Sequence, residues 1–181
     1  MLLSGFDGGF AWLAERDSET GHEHRLASDY SRFRQLAVDQ QYFYAIAASP
    51  QRGSVVLAID RSSHACQVLT DAECGLSAEA VSLPQRLLFP SGGGESCHGF
   101  FYSPHNPLFL APSGEKPPLL VFLHGGPTSA CYPVFDPRIQ FWTQRGFAVV
   151  DLNYRGSSGY GRAYRLRLQG AWGEVEVEDA V

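Results

Sequence analysis

Two apolar runs separated by a helical segment constrain the fold of this chain more than any other feature. Leu119–Leu123 is apolar throughout and leads into His124 and two glycines, and such a run predicts a strand buried on both faces, as in a parallel sheet. Residues 135–145 have helical character and stop before Gly146, a residue type that commonly ends helices. The second run, residues 147–154, then predicts a parallel neighbour in a right-handed βαβ unit.

The first 80 residues predict strands and turns only. Residues 10–15 and 22–27 flank the turn cluster 17–21 and predict a hairpin. A second hairpin with one more strand on either side gives four short strands, at residues 33–38, 42–48, 54–60 and 65–70. Four strands joined by tight turns are typical of one β-propeller blade, and about one and a half to two blades fit here, against the four to eight of a closed propeller.

The composition changes between residues 77 and 90, where Leu83 and Pro84 mark a predicted linker. After it, residues 85–90 and 97–103 predict a hairpin that opens a second domain. The expected fold class is therefore two-part: an all-β part, residues 1–84, that is the end of a β-propeller, followed by an α/β part, residues 85–181.

Charge and composition exclude several classes of partner. The net charge is −5 and there is no block of basic residues, which argues against a nucleic-acid or anionic-membrane surface. No apolar run approaches the ~20 residues of a membrane span, and the start lacks the basic region of a signal peptide. The cysteines have no C-x-x-C spacing, so reduced thiols and a cytoplasmic location are predicted; they are Cys66, Cys74, Cys97 and Cys131.

Neither a metal nor a cofactor is predicted. His22 and His24 lie on one face of a strand at a spacing that can hold a metal, but no third ligand accompanies them, and they are interpreted as exposed histidines beside a turn. Gly92–Gly94 resembles a phosphate loop, yet no Gly-Lys-Ser/Thr follows it.

Three motifs in order carry a family resemblance. They are His124-Gly-Gly-Pro127, then Asn153-Tyr-Arg-Gly-Ser-Ser-Gly-Tyr-Gly161, then Trp172-Gly173 with acidic residues after it. With these the chain resembles the prolyl oligopeptidase family of serine peptidases, in its acylaminoacyl-peptidase-like and dipeptidyl-peptidase-like branch. The resemblance is strongest over residues 85–181. It implies a propeller in front of an α/β-hydrolase domain and hydrolysis of short peptides, and it leaves room for oligomerisation.

The resemblance also implies roles for four residues. Gly125 and Gly126 would donate backbone N–H groups to the oxyanion of the tetrahedral intermediate, with Gly126 the stronger candidate. His124 is interpreted as a packed or hydrogen-bonded loop histidine rather than a catalytic base. Arg155 follows the second strand, where it either binds substrate or forms an ion pair that holds the loop after that strand.

No residue of a catalytic triad is identified in this chain. The family's nucleophile lies in a G-x-S-x-G elbow; residues 156–159 are one residue short of that motif, and residues 94–98 end in histidine. Ser, Asp and His would then all lie beyond Val181. The expectation is a central fragment of a longer enzyme that is inactive alone.

Two other interpretations stay open at this point. An esterase or formamidase can carry a similar HGG loop, although the strand-rich first half and the motif at residues 153–161 argue against it. A complete chain would instead be a non-catalytic binding module or a relic.

Overall fold

The computed structural model describes residues 1–70 and 75–181 and divides them into two compact units. The first comprises Met1–Gly75 with Tyr132–Phe135, and the second comprises Leu76–Cys131 with Asp136–Val181. The predicted order, an all-β part followed by an α/β part, is confirmed. Residues 76–84 fall in the second unit, where Ser82 accepts from the Gln140 side-chain amide at 3.0 Å and donates its N–H to that side chain at 2.8 Å. The domain boundary after residue 84 stays a prediction.

Two antiparallel sheets build the first unit. The three-stranded sheet has the order β1-β2-β3, with β1 Leu2–Asp7, β2 Phe10–Arg16 and β3 Glu23–Leu26. The four-stranded sheet has the order β4-β5-β6-β7, with β4 Arg32–Val38, β5 Tyr42–Ser49, β6 Arg52–Asp60 and β7 Cys66–Val68. Strands adjacent in sequence are adjacent in the sheet, which is the arrangement of a propeller blade. The predicted hairpins are confirmed.

Alternation along the strands produces the core of this unit. In β6, Val55, Leu57 and Ile59 are all at most 2% exposed, because every second side chain of a strand points to the same face. Leu13 of β2 and Phe43 of β5 complete the same cluster. Each such side chain contributes about 1.5–3 kcal/mol when fully buried, so alternate apolar residues hold the sheets together.

One mixed sheet and three helices form the second unit. Its strand order is β10-β11-β9-β8, with β8 Gln85–Pro90, β9 Ser96–Tyr102, β10 Leu119–Leu123 and β11 Ala148–Asn153. The predicted parallel pairing of β10 with β11 is confirmed, with Leu119 opposite Ala148 and Leu123 opposite Leu152. The helices are α1 Pro137–Thr143, α2 Arg162–Leu166 and α3 Val175–Ala180.

The helix between the parallel strands is shorter than predicted. Asp136 caps α1 by accepting the Arg138 N–H at 2.8 Å, and Pro137 occupies the first turn, where its missing N–H costs nothing. Gly146 follows with φ +87°, a conformation that glycine adopts without strain. Residues 135 and 145 therefore lie outside the helix.

The prediction that Leu119–Leu123 is buried on both faces is wrong. Leu119, Val121 and Leu123 are 54%, 41% and 52% exposed, because β10 occupies an edge of the described sheet. In β11, which is central, all residues are buried except Asp151, which is half-buried. An apolar run does not distinguish an edge strand from a central one, since that difference depends on pairing elsewhere in the fold.

The last helix begins earlier than the resemblance implied. Its N-cap is Glu174 and its first residue is Val175, whereas the resemblance placed the start at Glu176. Glu176 lies inside the first turn, and its Oε1 accepts the Gly173 N–H at 2.7 Å, as the acidic residue of a capping box does. Across residues 1–70 and 75–181, every helix is too short or too polar to span a bilayer.

Candidate functional site

The segments that follow the two parallel strands define the candidate site. His124, Gly125 and Gly126 come directly after β10, and Tyr154 and Arg155 come directly after β11. Carboxyl ends of adjacent parallel strands lie at the same edge of a sheet, which is where ligands of open α/β sheets bind. The topology therefore brings the two sequence motifs together.

Two glycines present unused amide groups at this edge. Gly125 and Gly126 are exposed, and a Cβ added to either would meet no atom within 4 Å. Gly126 has φ +83°, which glycine adopts without strain. Within the part of the chain that the structure describes, neither amide donates to a protein acceptor. Free, approachable N–H groups are what stabilisation of a developing oxyanion requires.

Tyr154 holds the loop from below. It is 4% exposed, and its ring stacks on that of His124 with centroids 4.4 Å apart. Its hydroxyl lies 3.0 Å from the carbonyl oxygens of both His124 and Pro127, which flank the two glycines. Sequence reasoning did not identify this role, because the contact joins residues on different strands.

Both ring nitrogens of His124 are engaged. Nδ1 lies 3.2 Å from the Gly125 carbonyl oxygen and Nε2 lies 2.7 Å from Oγ of the fully buried Ser157. A carbonyl oxygen can only accept, so Nδ1 carries the proton and Nε2 accepts from the Ser157 hydroxyl. Burial lowers the pKa of His124, and the bond to Gly125 offsets part of this effect. The structure thus places a neutral, hydrogen-bonded histidine in the loop.

The far end of the loop is tied to the same segment. Ser158 donates its N–H to the Ser129 carbonyl at 2.8 Å, and its hydroxyl bonds to the carbonyl of Thr128. Asn153 accepts the Cys131 N–H at 2.9 Å and donates to the Cys131 carbonyl at 3.2 Å. Residues 153–158 therefore act as a brace for residues 124–131, and the second motif explains how the first keeps its shape.

Arg155 forms the ion pair that one of the two interpretations predicted. Its side chain is 7% exposed, and its Nε donates to Asp179 Oδ1 at 2.8 Å while its backbone N–H donates to Asp179 Oδ2 at 2.6 Å. A second carboxylate, Glu178, lies 2.8 Å from the guanidinium, and the Gly92 carbonyl accepts at 3.1 Å. The side chain thus joins α3 to the turn after β8. Which of its two roles holds remains a prediction.

The other residues considered from sequence lie in the first unit or in the core. His24 stacks on His64, whose Nε2 lies 3.2 Å from Glu15 Oε2. Among the residues described, no three His, Cys, Asp or Glu side chains converge as metal ligands would. Cys66, Cys97 and Cys131 are free thiols, and Cys74 lies outside the described residues.

Known proteins match the same segments. Residues 133–181 match the family model of the prolyl oligopeptidase family. The chain is 26% identical over 158 residues to the uncharacterized peptidase YuxL of Bacillus subtilis, covering 87% of this chain and 23% of that protein. A Mycobacterium tuberculosis puromycin-hydrolyzing peptidase superposes with a TM-score of 0.93 at 35% identity, over 99% of this chain and 28% of that one.

A puromycin hydrolase mutant complexed with PGG superposes with a TM-score of 0.91, also at 35% identity and over 99% of this chain. The chain spans about a quarter of the length of these relatives. The likeness covers both units, so the first unit belongs to a β-propeller and the second to an α/β-hydrolase domain.

Proposed function

Because the chain belongs to the prolyl oligopeptidase family, we propose that it forms part of a serine-type peptidase that hydrolyses short peptides through an acyl-enzyme. Residues 1–84 would belong to the propeller and residues 85–181 to the hydrolase domain. In this assignment Gly125 and Gly126 donate to the oxyanion, and a serine from a G-x-S-x-G elbow supplies the nucleophile. Residues 1–181 hold no such motif.

The pair of free amides at the end of β10 is the observation that carries this proposal. Acyl transfer places negative charge on the carbonyl oxygen, and donors held in advance stabilise that charge without reorganising. Gly125 and Gly126 have the exposure, the open surroundings and the bracing that such donors need.

The substrate class follows from the relatives. One is named a puromycin-hydrolyzing peptidase and another is complexed with PGG, which supports small aminoacyl or peptidyl substrates here. The free thiols and the acidic net charge favour a cytoplasmic enzyme that binds no nucleic acid.

Obstruction of the loop tests the oxyanion role. In the full-length enzyme that contains this sequence, Gly126→Val should lower kcat by about 10²–10³, the scale of losing one oxyanion donor, with a smaller change in KM. The matched control is Gly173→Val, since Gly173 also has a positive φ, +91°, and open space around its Cβ position. Steady-state kinetics on peptide p-nitroanilides give both constants.

Two results would contradict the proposal. A folded Gly126→Val variant with the kcat of wild type removes Gly126 from the oxyanion site. Hydrolysis of simple esters without any hydrolysis of peptides would instead favour the esterase or formamidase interpretation, which the same free amides could serve.

A further inference from the structure

We propose that Tyr154 and His124 are positioning residues that orient the two oxyanion amides by holding the carbonyl groups in the same peptide planes. The inference rests on the proposed function, since it concerns how Gly125 and Gly126 are aimed. It assigns a role to the residues that lie beneath the glycines rather than to the glycines themselves.

The geometry of the peptide group supplies the first step. In a trans peptide, the carbonyl of one residue and the N–H of the next point in opposite directions, and both peptide bonds concerned are trans. The Gly125 N–H shares its plane with the His124 carbonyl, which lies 3.0 Å from the Tyr154 hydroxyl. When Tyr154 holds that oxygen, the Gly125 N–H must point away from Tyr154.

The same reasoning applies one residue further along. The Gly126 N–H shares its plane with the Gly125 carbonyl, which lies 3.2 Å from His124 Nδ1. The imidazole is itself fixed by the Ser157 hydroxyl at 2.7 Å and by stacking on Tyr154. Each candidate donor is therefore oriented by a hydrogen bond to the carbonyl that precedes it.

Little else constrains these planes. Neither glycine has an atom within 4 Å of its Cβ position, and both are exposed. Glycine populates positive and negative φ about equally, so an untethered Gly-Gly pair rotates its peptide groups at low cost. The two side-chain hydrogen bonds select one orientation from this range.

Removal of the hydroxyl is the direct test. In the full-length enzyme, Tyr154→Phe retains the ring that stacks on His124 and loses only the tether. We expect kcat to fall about tenfold or more and KM to stay within about twofold, because misaimed donors weaken binding of the transition state more than binding of the substrate. The affinity of a peptide boronate, whose tetrahedral adduct occupies the oxyanion site, should fall by a similar factor.

Tyr102→Phe is the matched control. Tyr102 is 1% exposed and lies in the same sheet, but its hydroxyl has no hydrogen-bond partner among the described residues. The same atomic change should leave kcat, KM and boronate affinity unaltered.

A second variant keeps the inference testable if Tyr154→Phe does not fold. His124→Phe preserves an aromatic ring against Tyr154 and removes the bond to the Gly125 carbonyl, so it should lower kcat through the Gly126 plane. A folded variant of either kind with wild-type kcat and boronate affinity overturns the inference.

The failures of the two proposals differ. If Gly126→Val lowers kcat while Tyr154→Phe and His124→Phe do not, only the positioning role is wrong. If Gly126→Val also leaves kcat unchanged, or if the wild-type enzyme cleaves no peptide, the proposed function itself is wrong.

Discussion

Asp151 is the residue whose ionisation departs furthest from its sequence-based expectation. It lies on β11 between buried neighbours, and burial raises its pKa to about 7. A hydrogen bond with the Cys131 thiol and the charge of Arg138 lower the pKa in part, while the nearby Asp136 raises it. The side chain is therefore largely protonated below neutral pH in the folded protein, whereas an unfolded aspartate titrates near 3.9.

This raised pKa predicts a pH-dependent loss of stability. A folded pKa above the unfolded value means that the contribution is fully present below about pH 4 and is lost as the pH rises through about 7. We expect the free energy of unfolding to fall over this range by an amount on the order of a few kcal/mol. Urea unfolding at a series of pH values measures the slope.

Substitution identifies the group responsible. Asp151→Asn should flatten the profile between pH 5 and 8 and increase stability at pH 8. Asp60→Asn is the control, because hydrogen bonds from Ser62 and Ser63 lower the pKa of Asp60 to about 2, outside this range. An unchanged slope in Asp151→Asn would show that another group titrates.

At the scale of elements, the Arg155–Asp179 ion pair joins parts of the second unit that are distant in sequence. Asp179 belongs to α3 and its side chain is fully buried. Besides Arg155, it accepts a hydrogen bond from Ser91, in the turn after β8. Three segments thus meet at one carboxylate, which secures a helix too short to be stable alone.

We expect Asp179→Asn to lower the free energy of unfolding by about 3–5 kcal/mol, because it leaves the buried Arg155 guanidinium without its main counter-charge. Chemical denaturation of the variant and of wild type provides the comparison. Arg138→Ala is the control: the Arg138–Asp136 pair has a similar N–O distance, 2.7 Å, but the arginine is 78% exposed.

The control should change stability by less than about 1 kcal/mol, as solvent-exposed pairs do. Equal effects of the two substitutions would mean that burial does not decide the strength of the Arg155 pair.

At the scale of the whole molecule, the apolar face of β10 is the most consequential surface. Leu119, Val121 and Leu123 project from a strand at the sheet edge, each more than 40% exposed. Edge strands with apolar side chains pair readily with other chains. Within the described residues, nothing covers this face as completely as β11 is covered.

We therefore expect residues 1–181, produced alone, to self-associate in a concentration-dependent manner through β10. The double variant Leu119→Lys/Leu123→Lys should remain monomeric at higher concentration, as followed by sedimentation velocity. Leu110→Lys is the control, because Leu110 is 98% exposed but lies in a loop that offers no strand edge. Equal association of the two variants would exclude β10 as the contact.

Local patterns in the sequence determined most of the elements. Alternation and turn residues predicted the hairpins of the first unit, and the apolar runs with their intervening helix predicted the parallel β10–β11 pair. The HGG motif also located the candidate donors Gly125 and Gly126. These features depend on residues within a few positions of one another, where periodicity and turn chemistry act directly.

Tertiary structure alone decided how those elements are used. The edge position of β10, the pairing of Arg155 with Asp179 and the tether from Tyr154 to the His124 carbonyl all join segments that are distant in sequence. Such contacts depend on which strands become neighbours and which side chains share a buried space. Hydrophobic periodicity determines which face of a strand is apolar, but only the packed fold determines what that face and the adjoining loop will meet.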